Sequence, residues 1–207
     1  MPNRFQVCYI TDRRQLPPQA LHSRIEGAIR AGVDLIQIRE KDLPTRELLS
    51  LVQAAMQAAH AGGSRVVVND RLDVALAAGA HGVHLGTQSL PAPAVRGMVL
   101  RDFLVGVSCH SLEEARAAEA SGADYIVLGP VFETPSKLAF GPPLGLAKLQ
   151  EVTAHAGVPV LALGGITLER VKACLEHGAA GIAGIRLFQD CASLEELVRT
   201  LRAQLVL

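Results

Sequence analysis

Runs of β-branched and apolar residues recur eight times along this chain, and helix-forming stretches separate them. The runs are Gln6–Thr11, Val33–Glu40, Arg65–Asn69, Gly82–Gly86, Phe103–His110, Tyr125–Phe132, Pro159–Ile166 and Gly181–Phe188. Between them, Thr45–His60, Pro91–Met98, Ser111–Ser121, Leu146–His155, Leu168–His177 and Leu194–Leu205 carry Ala, Leu, Glu and Arg at helical spacing. Ser111–Ser121 shows the pattern most plainly, with a Ser cap, Glu113 and Glu114 in the first turn and no proline. Strands that alternate with helices imply right-handed βαβ units and a parallel sheet. Eight such units predict a closed (β/α)8 TIM barrel. An open dinucleotide-binding sheet is the alternative, but no GxGxxG follows the first strand. At 207 residues the chain is close to the ~200-residue minimum for the barrel, so one domain over 1–207 is expected.

Composition narrows the function classes. Lys+Arg and Asp+Glu both total 20, which argues against a nucleic-acid binder working through bulk positive charge. Two Tyr, five Phe and no Trp make a base-stacking platform a poor fit. Apolar residues at 49% and charged residues at 19% exclude a disordered chain. Met1 to Gln6 is short and polar, unlike a secretory signal. The most apolar stretch, Ala156 to Leu168, is too short for a bilayer and holds Pro159, Gly164 and Gly165. Cys8, Cys109, Cys174 and Cys191 are scattered singly, as in a reduced, cytoplasmic protein. Small molecules are therefore the expected partners, with no nucleic acid and no membrane. The sequence leaves oligomeric state open.

In such barrels the active site forms at the carboxyl ends of the strands. Strand parity puts Leu35, Gln37, Arg39 and Lys41 on one face and Ile36 and Ile38 on the other. The apolar face suits the outer helices, so Gln37, Arg39 and Lys41 are expected to climb the inner wall. Cations there are costly without an anionic partner. The third strand ends in Asn69-Asp70-Arg71, where Asp70 could cap the next helix or serve as a carboxylate ligand for Mg²⁺. Ser108 and His110 share a face, and His84 and His110 read as core histidines. Cys109 and His110 point apart, which excludes a catalytic dyad. A long connection after the sixth strand, Glu133-Thr134-Pro135-Ser136-Lys137 and onward, has the character of a binding loop. Gly164-Gly165 opens a helix after the seventh strand and Ile185-Arg186 ends the eighth, the usual phosphate position of these barrels.

Together QIREK (Gln37–Lys41), VVNDR (Val67–Arg71), GVHLG (Gly82–Gly86), VGVSCH (Val105–His110), GADYIVLGPVFETPSK (Gly122–Lys137) and LGGIT (Leu163–Thr167) resemble the thiamine phosphate synthase family and its close paralogue, the thiazole tautomerases. The resemblance spans essentially the whole chain. It implies a barrel whose top binds a pyrimidine pyrophosphate and a thiazole phosphate. By motif, Gln37, Arg39, Lys41 and Asn69 would hold the pyrophosphate, Ser108 and Lys137 would complete the grip, and Asp70 would bind Mg²⁺. Thr134, Ser136, Gly165, Ile185 and Arg186 would hold the thiazole phosphate. The reaction implied expels pyrophosphate to leave a pyrimidinyl carbocation, which the thiazole nitrogen captures. Charge stabilisation and geometry, with no protein nucleophile, suffice for it; Arg39, Lys41, Ser108 and Lys137 are the catalytic candidates.

This chain departs from the family pattern at three positions. Ser89 stands where a second Mg²⁺ aspartate is usual, and Arg186 stands where the last loop usually has Ser. Pro130 occupies the slot of a tautomerase His, so a tautomerase would need Glu133 or His110 as its base. Besides the synthase, the sequence leaves open a tautomerase acting on carboxythiazole phosphate and a non-catalytic phosphometabolite-binding paralogue. Parity places Arg186 with Ile182 and Gly184, opposite Ala183 and Ile185.

Overall fold

Eight parallel strands close on themselves in sequence order: β1 (Val7–Ile10), β2 (Leu35–Ile38), β3 (Arg65–Asn69), β4 (Gly82–Leu85), β5 (Leu104–Cys109), β6 (Tyr125–Leu128), β7 (Val160–Ala162) and β8 (Gly181–Gly184), which pairs back to β1. The computed structural model describes residues 6–134 and 141–205. Helices α1 (Ala20–Arg30), α2 (Thr45–Gly62), α3 (Leu72–Ala77), α4 (Ala92–Arg96), α5 (Leu112–Ala120), α6 (Gly145–Thr153), α7 (Leu168–Glu176), α8 (Arg186–Gln189) and α9 (Leu194–Leu205), with a short 3-10 turn at Arg13–Gln15, complete the described elements. This is the expected (β/α)8 TIM barrel. None of the described helices is long and apolar enough to cross a membrane.

Alternation along the strands sorts the core into two layers. Val7, Tyr9, Ile36, Ile38, Val66, Val68, Ile126, Leu128 and Ile182 face outward and pack under the helices. Cys8, Ile10, Leu35, Val67, Leu104, Tyr125, Val127, Leu161 and Ala183 fill the lumen. All four cysteines are free, and Cys8, Cys109 and Cys174 are buried.

Two elements differ from the sequence reading. Helix α1 was not among the expected helices, because its start lacks a signal: Gln19 precedes it in a left-handed conformation (φ 67°) and no side chain caps it. Burial of Leu21, Ile25, Ala28 and Ile29 stabilises it instead. The eighth strand stops at Gly184, and Arg186 begins α8, so the parity argument for Arg186 fails. The helical turn seats Phe188 against Tyr9 (centroids 5.4 Å apart) and lets Gln189 Nε2 donate to Asp12 O at 2.8 Å. An extended strand would forfeit that packing.

One glycine shapes the lumen. Gly106 on β5 lies in register with His84 on β4 and with Tyr125 on β6. A Cβ at Gly106 would collide with the Tyr125 ring, which is fully buried and has nowhere to move. Gly106→Ala should lower stability by about 1–3 kcal/mol, the usual cost of overpacking a well-packed core. Chemical denaturation of the purified variant checks this.

Candidate functional site

The carboxyl ends of the strands gather hydrogen-bonding groups below and cations above. Gln37 is 1% exposed, and its Nε2 has no hydrogen-bond partner among the described residues. An orphaned buried amide is costly and points to a polar occupant. Arg39 follows, half-buried, with its backbone N–H donating to Thr11 Oγ1 at 2.9 Å. Its guanidinium forms no ion pair among the described residues. The neighbouring Glu40 turns the other way. Its buried carboxylate accepts from the Arg13 N–H at 3.1 Å with both oxygens, which ties the end of β2 to the loop after β1. Burial pushes the Glu40 carboxyl up, partly offset by a hydrogen bond with Thr11. Lys41 is exposed, in the turn that Leu43 N–H closes onto Glu40 O at 3.3 Å. Because β2 ends at Ile38, that turn rather than strand parity places Lys41.

On β3, Asn69 lies in register with His84. Asp70 is exposed and left-handed (φ 66°), an uncommon state for a residue with a side chain. The residue capping α3 is Arg71, and no side chain caps that helix, which overturns the capping alternative for Asp70. Asp73 is held instead by Arg71, 2.6 Å away. The Asp70 carboxylate accepts no hydrogen bond among the described residues. Ser89 Oγ accepts from the Gly86 N–H at 2.8 Å and closes a tight turn after β4.

Ser108, on the lumen face of β5, meets His84 at 2.8 Å (Oγ to Nε2), and His84 Nδ1 lies 3.1 Å from the Tyr125 hydroxyl. Burial, helped by the positive charge of Arg39, pushes His84 down to about 3, so it stays neutral. His84 is thus a satisfied core histidine, as expected. His110 is not: it is partly exposed, and Glu114 accepts from its backbone N–H (2.7 Å) and touches its ring (3.1 Å). The helix-cap position of Glu114 draws His110 outward.

Thr134 is half-buried on the loop after β6, whereas Ser136 and Lys137 lie outside the described residues. Gly164 and Gly165 both have positive φ (96° and 62°). A Cβ at Gly165 would sit 2.5 Å from Glu133 O, so this turn needs glycine for both reasons. Arg170 donates to Gly165 O at 2.7 Å and covers the Phe132 ring at 4.7 Å, which joins the loops after β6 and β7. Ile185 packs on the lumen cluster. Arg186 is exposed at the first position of α8, and its guanidinium makes no hydrogen bond or ion pair among the described residues.

Chemically, the mouth offers cations, of which the Arg39 and Arg186 guanidiniums form no ion pair among the described residues, together with neutral donors and the exposed Asp70 carboxylate, a set suited to phosphorylated ligands. Among the described residues it offers no activated nucleophile. Cys109 packs outward and its thiol is pushed up to about 12, and burial also pushes the Cys8 thiol up. A cavity of about 700 Å³ lies between α1 and α2 and contains none of these residues. No group of three or more His, Cys, Asp or Glu among the described residues could by itself hold a metal ion. Asp70 nonetheless fits a Mg²⁺ that arrives with its ligand, since this ion commonly takes one carboxylate plus substrate phosphates.

A family model described as thiamine monophosphate synthase matches residues 7–188. Thiamine-phosphate synthase of Roseiflexus sp. (strain RS-1) is 40% identical over 197 residues, 95% of this chain and 84% of that protein. Thiamine-phosphate synthase of Methanoculleus marisnigri is 44% identical over 175 residues, 84% of this chain and 83% of that protein. Among solved structures, thiamine phosphate pyrophosphorylase from Pyrococcus furiosus superposes with a TM-score of 0.88 at 32% identity, covering 99% of this chain and 96% of that one.

Proposed function

The chain belongs to the thiamine monophosphate synthase family, and from that premise we propose how its barrel mouth joins a hydroxymethylpyrimidine pyrophosphate to a thiazole phosphate. It is a transferase of thiamine biosynthesis. The bond between the pyrimidine methylene carbon and the pyrophosphate oxygen breaks, its electron pair leaving on pyrophosphate. The thiazole nitrogen then supplies the pair for the new C–N bond. What supports this assignment most is Arg39: a half-buried guanidinium with no described carboxylate partner, two residues beyond the orphaned Gln37 amide. Such a group is stable when an anion arrives to pair with it.

Gln37, Asn69 and Ser108 donate to the pyrophosphate from the lumen, Arg39 and Lys41 neutralise it from the rim, and Lys137, which lies outside the described residues, adds a further positive charge. Their catalytic effect comes from stabilising charge that grows on the leaving group. Mg²⁺ bound with the pyrophosphate would be held by Asp70 and would take up part of that charge. Ser89 is occupied in its turn and supplies no second carboxylate. Thr134, Ser136, Gly165, Ile185 and Arg186 hold the thiazole phosphate on the opposite side. Proline at position 130 carries no group that could shuttle a proton, and Glu114 engages His110, which leaves the exposed Glu133 as the base a tautomerase would have to use. Free thiols suit a cytoplasmic setting.

Two separate phosphate subsites make a testable distinction. Calorimetric titration should find inorganic pyrophosphate and thiazole phosphate binding together, neither displacing the other. Arg186→Ala should weaken thiazole phosphate about ten- to a hundredfold, the range for a lost charge-assisted hydrogen bond. Pyrophosphate binding should change little in that variant. Tighter thiazole phosphate binding would mean that Arg186 blocks the subsite, and mutual displacement of the two ligands would refute the two-subsite arrangement.

A further inference from the structure

The buried contact of His84 with both Ser108 and Tyr125 is a lumen feature that phosphate binding does not by itself explain. It is a construction of three adjacent strands. His84 on β4 and Tyr125 on β6 are both in register with Gly106 on β5, and the missing side chain lets the two rings meet across the intervening strand, 5.7 Å apart. Ser108, two residues on from Gly106, stands on the same face above them, within 2.8 Å of His84 Nε2.

We propose that Tyr125 and His84 are positioning residues that fix the hydroxyl proton of Ser108: Tyr125 O–H donates to His84 Nδ1, His84 Nε2–H donates to Ser108 Oγ, and the Ser108 O–H is left to donate to an anionic oxygen at the barrel mouth. The proton count sets this direction. A neutral imidazole has one N–H and one lone pair, so whichever bond Nδ1 makes dictates the other at Nε2. A phenol is a better proton donor and an imidazole nitrogen a better acceptor than the reverse pair, which favours O–H to Nδ1. His84 is 2% exposed, which disfavours the doubly protonated form. With Nε2–H donating, Ser108 uses a lone pair inward and turns its proton outward. In the reverse chain Ser108 would spend that proton on His84 and present only lone pairs to an anion.

The inference rests on the reading of Ser108 as a pyrophosphate ligand, but the tautomer can be read without it. Selective ¹⁵N-histidine labelling and NMR of the wild-type protein should show His84 protonated at Nε2 and unprotonated at Nδ1. Tyr125→Phe keeps the ring and removes the donor. It should weaken inorganic pyrophosphate binding about three- to tenfold by calorimetry, the scale of one neutral hydrogen bond. In a Ser108→Ala background the same substitution should have no further effect, whereas a merely structural role would weaken both backgrounds alike. A protonated Nδ1, or equal losses in the two backgrounds, would overturn the proposal. An Nε2–H tautomer in a protein that does not bind pyrophosphate would support the relay and refute the pyrophosphate role of Ser108.

Discussion

Replacing Arg39 by Gln should lower kcat/KM by about 10²–10³, with most of the loss in kcat. Gln keeps hydrogen-bonding capacity but not charge, so the comparison isolates the electrostatic part of the interaction. Removing one preorganised donor aimed at developing charge costs this much in other enzymes. The fold should tolerate the change. Arg39 is anchored by its backbone N–H on Thr11, and its guanidinium makes no described ion pair that the substitution would break. Relieving an unpaired, half-buried cation should leave the melting temperature unchanged or slightly raised. Steady-state kinetics with thermal denaturation of the same preparation checks both. A rise in KM alone, with kcat intact, would mean that Arg39 binds substrate and transition state equally.

Asp70→Asn should be at least as damaging to turnover and as harmless to stability. Asparagine tolerates left-handed backbone about as well as aspartate, so φ 66° is no obstacle. No helix cap is lost, since the Asp70 carboxylate does not cap α3. What disappears is the carboxylate proposed to hold a Mg²⁺–pyrophosphate. A fall in kcat of at least about 10²-fold is expected, the size of effect given by losing one charge-stabilising group. Rate against Mg²⁺ concentration should also shift to higher concentrations in the variant. Normal turnover at unchanged Mg²⁺ dependence would remove Asp70 from the metal.

How much of this was legible in the residues differs from strand to strand. In β2, alternation alone separated Leu35 and Gln37 from Ile36 and Ile38, because each face meets a different environment and the sequence has to match it. The same rule failed at Arg186, where the strand had already ended and the burial of Phe188 imposed a helical turn. Parity carries no information past a strand's last ladder bond. It likewise did not reach Lys41, which a turn positions. His110 reads as a core histidine, as such residues more often are than catalysts, but Glu114, one helical turn on, holds it at the surface. For Asp70 the residues allowed cap or ligand equally, and the structure removes the cap, since no side chain caps α3. The Glu40 clamp on the Arg13 amide and the pairing of His84 with Tyr125 link residues 27 and 41 positions apart, and no local pattern encodes such contacts. A mid-strand glycine at 106 was the available signal, since glycine inside a strand marks a close approach.

The most direct test of the transferase assignment combines purified protein, hydroxymethylpyrimidine pyrophosphate, thiazole phosphate and Mg²⁺, with both products followed by chromatography and mass. Thiamine phosphate and inorganic pyrophosphate should appear in equal amounts, and neither should form when either substrate is left out. Pyrophosphate release without the coupled product, or tight binding of both substrates with no product at all, would contradict it.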